Sequence, residues 1–243
     1  FSGRHVFTPG AAASGTLIAN ARVLEIQDDA ATTPVEGLTV EVFESGPDLD
    51  VSGGGNLTIL NAATLRGSMS GTGQTIIGTG AQATIEDFID LKGDRVLQND
   101  GTLTLLNRFA AIGLTDNAQL QIGSTGTLQL DGDQRVDTFT STDTNGNPVT
   151  PNTRIVNDGR IEIIDSGGTG NAVSELIASN LDLNGTIEVI AGELLISPLL
   201  FETFDEQSDT NVTVAEGTAT FGSTSGLIGG GQGVRLAGGT HQF

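Results

Sequence analysis

Asn99-Asp100-Gly101-Thr102-Leu103-Thr104-Leu105 is the stretch that decides the reading of this chain. A turn signal, Asn-Asp-Gly, runs straight into an alternation of Thr and Leu, which is the pattern of a tight turn feeding a strand of period two. The phrase returns at Asn157-Asp158-Gly159-Arg160-Ile161-Glu162-Ile163 and at Asn184-Gly185-Thr186-Ile187-Glu188-Val189. Looser copies stand at Gly55–Ile59, Gly126–Leu130 and Glu216–Phe221. Turn-and-strand phrases recurring at irregular intervals of roughly twenty residues read as the stacked coils of a β-solenoid.

The alternation extends outward from these phrases. Leu103/Leu105, Ile112/Leu114, Leu120/Ile122 and Leu128/Leu130 are i, i+2 pairs, and Ile161/Ile163, Leu181/Leu183, Ile187/Val189 and Leu194/Ile196 continue the series. Val212/Val214 and Ala219/Phe221 extend it further. In a β-coil the paired residues point inward and the residues between them face solvent. Asn107–Ile112 brings two strand pairs close together, as at a corner. Leu199–Phe204 is the most apolar patch and reads as core. Ser174–Ser179 reads as one helical turn opened by a Ser cap. The whole of 1–243 is expected to be a single solenoid domain, with 1–35 as a cap or first coil and 222–243 as a Gly-rich terminal coil. The segment 132–154, rich in Asp, Thr, Asn and Pro, is expected to be a loop or hairpin projecting from the stack. A coil of about 20–24 residues gives roughly 10–12 coils, and at ~4.8 Å per coil a stack about 50 Å long. Asn at successive turns is expected to stack its amides in a ladder.

Composition bounds the partners. The chain carries 30 acids against 10 bases, a formal net charge of −20. That field repels nucleic acid and anionic membrane surfaces while offering carboxylates to Ca²⁺. No run reaches about 18 apolar residues, so no membrane insertion through a helix is expected. Cysteine is absent, which removes disulfides and thiol chemistry. Trp and Tyr are also absent, and the ten Phe are the only aromatics; this counts against a sugar-stacking groove.

At the Asn99, Asn157 and Asn184 phrases the chain resembles the right-handed parallel β-helices of bacterial secreted surface proteins, namely autotransporter passengers and filamentous haemagglutinin-like exoproteins. The resemblance covers about residues 36–236. It implies a right-handed parallel β-helix forming an extended extracellular stalk or fibre at the cell surface.

Candidate chemistry is sparse. Asp143-Thr144-Asn145-Gly146-Asn147 opens like an oxygen-ligand calcium loop, but Pro148 and Arg154 stand where an EF-hand needs Gly and Glu. What remains is a lone calcium site on Asp143, Asn145 and Asn147, weighed against an Asx-rich turn. Asp131/Asp133 and Glu86/Asp87/Asp90 are the densest acid clusters near strands, the minimum a glycosidase would need. His5 and His241 lie at opposite ends of the sequence and read as surface residues. No cofactor is called for, and no catalytic residues are assigned. The sequence therefore points to an extracellular structural or adhesive solenoid, a non-enzymatic stalk or filament subunit. It would self-associate head to tail or engage a ligand on a host or cell surface, through residues 132–154 or through the ends. The alternative is a polysaccharide-active β-helix enzyme, whether lyase, hydrolase or phage-type depolymerase.

Overall fold

The computed structural model describes residues 51–106, 108–142, 145–146, 148–149, 151–164, 166 and 173–196 in full, and outside them the backbone of short strands between Arg4–Phe7 and Thr240–Gln242. The described chain is all-β, a solenoid of parallel strands with no helix. Each turn carries three faces. One turn runs Val96–Asn99, Thr102–Leu105, Ala111–Thr115, and the next runs Gln119–Ile122, Thr127–Asp131, Arg135–Phe139, each strand pairing in register with the one below it. On the first face, Leu57↔Thr75↔Leu97↔Leu120↔Ile155↔Leu181 form one column, so five turns separate its ends. On the third face ten pairings link Arg4–Phe7 to Thr240–Gln242. At ~4.8 Å per step that ladder is about 48 Å long.

The core follows from the period-two pattern. Leu103, Leu105, Ile112, Leu114, Leu120, Ile122, Leu128 and Leu130 are all wholly buried, and the same holds for the aliphatic pairs from Ile161 to Ile196. Each fully buried aliphatic contributes about 1.5–3 kcal/mol. Between these pairs Thr104, Gln121, Gln129, Asp182 and Glu188 lie half-exposed on the outer face. On the outer second face Arg160 sits between Glu162 and Glu188, and its pKa is raised, chiefly by the hydrogen bond to Glu188.

The three corners differ, and each difference has a cause. Between the first and second faces a column of glycines, Gly101, Gly126, Gly159 and Gly185, marks the recurring phrase. Backbone bonds from Thr127 N to the Gly101 carbonyl (2.8 Å) and from Arg160 N to the Gly126 carbonyl (3.0 Å) hold the stacked turns close. A Cβ on Gly126 would lie 2.0 Å from the Asn99 carbonyl oxygen, and on Gly159 2.2 Å from that of Gly123. Only a residue without a side chain fits there. The asparagines do not form the expected amide ladder. The ladder position holds Ile77, Asn99, Ile122, Asn157 and Leu183 in turn, so aliphatic side chains separate the two amides. Each buried Asn instead donates to the coil above, Asn99 to the Thr127 carbonyl (2.9 Å) and Asn157 to that of Thr186 (3.3 Å). Asn184 falls one position later, is exposed, and bonds Asp158 and Asp182.

Between the third and first faces an inward column runs Gly55, Gly73, Arg95, Ala118, Thr153, Ser179. Arg95 is wholly buried and uses the space that the two glycines leave. Its guanidinium donates to the Gly53 and Gly55 carbonyls (3.3 Å each), to the Gln74 carbonyl (3.0 Å) and to Thr75 Oγ1 (2.9 Å), spanning three rungs. Burial pulls its pKa down to about 10, which leaves the group charged at neutral pH. Higher in the same corner Thr138, Thr153 and Ser179 form a buried hydroxyl network, with 2.6 Å between the two Thr oxygens.

Three sequence expectations change here. Residues 132–154 are not one projecting loop: Arg135–Phe139 is a third-face strand of the stack, and only Ser141–Thr142 with Pro148–Val149 forms a small antiparallel hairpin. This strand lacks an aliphatic pair because its inward residues are Val136 and Thr138, and the hydroxyl of the latter is satisfied inside. Ser174–Ser179 is no helical turn. Val173–Ala178 is a strand with Leu176 and Ala178 inward, and Ser174 Oγ donates to the Gly132 carbonyl (2.7 Å) rather than capping a helix. The coil intervals are irregular, as expected, but run outside the expected 20–24 residues: successive positions of the column on the first face are 18, 22, 23, 35 and 26 residues apart, and the longest interval contains the hairpin. Leu199–Phe204 lies outside the described residues.

Gly159→Ala is expected to cost about 1–3 kcal/mol through backbone overpacking. Arg95→Ala should cost at least about 3 kcal/mol, since it strands buried acceptors and opens a cavity. Gly146→Ala, at a positive φ of 80° but with nothing within 4 Å of the new Cβ, should cost only about 1 kcal/mol. Urea unfolding followed by circular dichroism measures all three. An Arg95→Ala variant as stable as the parent would show that the guanidinium does not clamp the rungs.

Candidate functional site at the open corner

The corner between the second and third faces varies in length from coil to coil. One residue separates Leu65 from Gly67, three separate Ile85 from Ile89, and six separate Leu105 from Ile112. Five lie between Leu130 and Val136, and twelve between Ile163 and Leu176. The strands set the register, so this corner takes longer insertions than the glycine corner, which holds two or four residues.

The overhanging corners enclose a cleft of about 570 Å³ that crosses four rungs. Three rung steps make it about 14 Å long parallel to the solenoid axis. Its volume falls within the ~300–1,000 Å³ typical of small-ligand sites. The lowest rung supplies Asp87 and Phe88, and the next supplies Arg108, Phe109, Ala110 and Ala111. Above them stand Asp133, Gln134 and Arg135, then Val173 and Glu175. Phe88, Ala111, Arg135 and Glu175 form one outward column, and alanine in that column leaves the hollow.

Local bonding holds these side chains. Asp87 is paired with Arg66 across the lower rim. Asp133 accepts from Val173 N (2.8 Å), tying two corners together, and Asp131 accepts from both Ser166 N (2.8 Å) and Ser166 Oγ (2.6 Å). Gly132 has a φ of 114°, a turn that a side chain would strain, and it lets Gln134 fold beneath the corner. Gln134 is wholly buried; its amide nitrogen donates to the Asp131 carbonyl, while its side-chain carbonyl oxygen has no hydrogen-bond donor. Phe109 is 66% exposed, with the Arg108 guanidinium 4.7 Å from its ring centroid. Phe88 meets Phe139 edge to face at 5.9 Å. Both rings close over Gly113, where a Cβ would lie 2.6 Å from Phe88 Cζ and 2.9 Å from Phe139 Cε2.

Of the acid clusters singled out in the sequence, the structure brings Asp87 and Asp133 into one cleft. It sends Asp90 to Lys92 (2.8 Å) and Thr115 instead. Gln134 and Arg135 fall within the 132–154 segment expected to engage a ligand, whereas Arg108, Phe109 and Glu175 carried no such signal beyond the crowding at 107–112, because their neighbourhood exists only once the register is known. Asp143 and Asn147 of the calcium candidate lie outside the described residues, and Asn145 is exposed at the hairpin tip. Among the described residues no group of three or more His, Cys, Asp or Glu is placed to hold a metal ion. His5 and His241 sit on the strands Arg4–Phe7 and Thr240–Gln242, whose side chains lie outside the described residues.

No protein-family model, no curated protein and no solved structure matches this chain.

Phe139→Leu is expected to remove the edge-to-face contact, worth about 0.5–1.5 kcal/mol. The ring-current shifts of the Phe88 protons in NMR spectra should vanish with it. Unchanged Phe88 shifts would mean that the two rings do not meet over Gly113 in solution.

Proposed function

We propose that the chain works as an extracellular structural and adhesive solenoid, a stiff stalk that presents the open corner to a ligand. The observation that supports this most is the contrast between corners. The first-to-second corner is held by the glycine column, and the third-to-first corner is braced by buried polar groups and admits one hairpin, while the second-to-third corner changes length from coil to coil and carries the cleft. Rigid scaffolds with variable loops place binding on the loops. The acidic exterior keeps such a rod soluble and supplies carboxylates for calcium cross-linking. Self-association belongs to the same reading: the last rung of any solenoid offers unpaired backbone groups, so copies would stack end to end in a contact that does not close.

One observation favours the rival reading, a polysaccharide-active enzyme: Asp87, Asp133 and Glu175 line the same cleft. Two of these carboxylates in reach of a bound chain would be the minimum for acid–base chemistry.

Electron microscopy over a range of protein and calcium concentrations, together with a reducing-sugar assay on polysaccharides, separates these. The structural reading expects uniform rods, lengthening into filaments as concentration or calcium rises, and no release of reducing ends. Release of reducing ends that disappears in Asp133→Asn or Glu175→Gln would replace it with the enzymatic reading. Compact particles with no elongation under any condition would overturn the stalk.

A further inference from the structure

Resting on the adhesive reading of the open corner, we propose that the cleft binds an uncharged saccharide chain lying along the solenoid axis. The argument begins with what cannot bind there. Among the described residues the strands flanking the cleft are paired above and below, so an extended peptide finds no free edge to join as an added strand. Recognition must come from side chains. The net charge of −20 opposes a polyanion over long range, and an uncharged chain escapes that penalty.

The side chains present match a ligand with hydroxyl edges and apolar ring faces. Phe109, two-thirds exposed and backed by Arg108, offers a flat apolar surface at the mouth. It supplies the stacking element that the absence of Trp and Tyr had argued against. The hollow above Ala111 gives a ring room to sit between rungs. Arg135, half-exposed and only 3.9 Å from Asp137, provides donors, and Glu175 one rung above provides an acceptor. Gln134, wholly buried beneath the corner behind these side chains, has a carbonyl oxygen without a donor, and a buried unmet acceptor costs about 1–3 kcal/mol.

The full chain is titrated by calorimetry with uncharged hexasaccharides of β-1,4-glucose, α-1,4-glucose, β-1,4-mannose, β-1,4-xylose and β-1,4-N-acetylglucosamine. Hexagalacturonate serves as the charged comparator. Phe109→Ala and Arg135→Ala are run in parallel, both at exposed positions, with circular dichroism and thermal unfolding confirming the fold. At least one uncharged hexasaccharide should bind with a Kd of about 1 mM or tighter. Each substitution should weaken it by about tenfold or more with the melting curve unchanged. Three results would overturn the proposal: no uncharged hexasaccharide binds, binding survives both substitutions, or only hexagalacturonate binds. None of these touches the stalk reading, which the microscopy tests on its own.

Discussion

The close approach of one turn to the turn beneath it governs this structure. Parallel in-register strands bring successive rungs to ~4.8 Å, and at a sharp corner the backbone of one coil then lies against the carbonyls of the last. At Gly126 and Gly159 the space left for a side chain is smaller than any carbon can occupy. Glycine at that corner fixes where the coil turns, and the position of the turn fixes register. Register in turn decides which of two alternating sets of residues faces inward. The burial of Leu103, Leu128, Ile161 and Ile187 in one column is therefore a consequence of the column of glycines two residues before them.

That constraint divides the molecule. A corner under a close-approach limit holds only two or four residues, and the corner threaded by Arg95 and by the Thr138–Thr153–Ser179 network needs inward groups in set rungs, its one long insertion among the described residues being the exposed hairpin. The corner between the second and third faces bears neither restriction. The entropic cost of a longer loop grows only slowly with its length, by about 0.6 kcal/mol per doubling. Twelve residues between Ile163 and Leu176 are thus tolerated where one sufficed between Leu65 and Gly67. The cleft is the hollow left where longer corners overhang the alanine at position 111. Apart from the hairpin, variation collects there because the physics of stacking permits it there.

The same logic explains what the sequence could reveal. Aliphatic pairs announce a strand within five residues, so the core from Leu97 to Ile196 was legible locally. Arg135–Phe139 was not, because an inward Thr is acceptable only if another hydroxyl waits inside, and its partner Thr153 is 15 residues away. Arg95 reads as an ordinary surface base until Gly55 and Gly73 are known to lie beneath it, 40 and 22 residues earlier in the chain. The Ser174 hydroxyl looked like a helix cap, yet Gly132 supplied its acceptor. The cleft was the least legible feature of all. Its residues come from four rungs, and no short window of sequence contains two of them from different rungs.

A regular solenoid faces an ambiguity that its aliphatic ladders cannot resolve. Leu on Leu packs nearly as well after a slip of one whole coil, since every rung offers the same inward pairs. The buried polar groups remove that freedom. Arg95 finds Gly53, Gly55, Gln74 and Thr75 in two particular rungs below it, and Asn99 and Asn157 each find a carbonyl in the rung above. A slip by one coil would set Arg95 above a different corner and leave a buried charge with its donors unmet. Breaking such contacts costs about 3–5 kcal/mol for a buried charge, against much smaller losses for a repacked aliphatic pair. The aliphatic residues supply the stability of the stack; the few polar residues that break its repetition determine which coil rests on which, and so bring the residues of the open corner together.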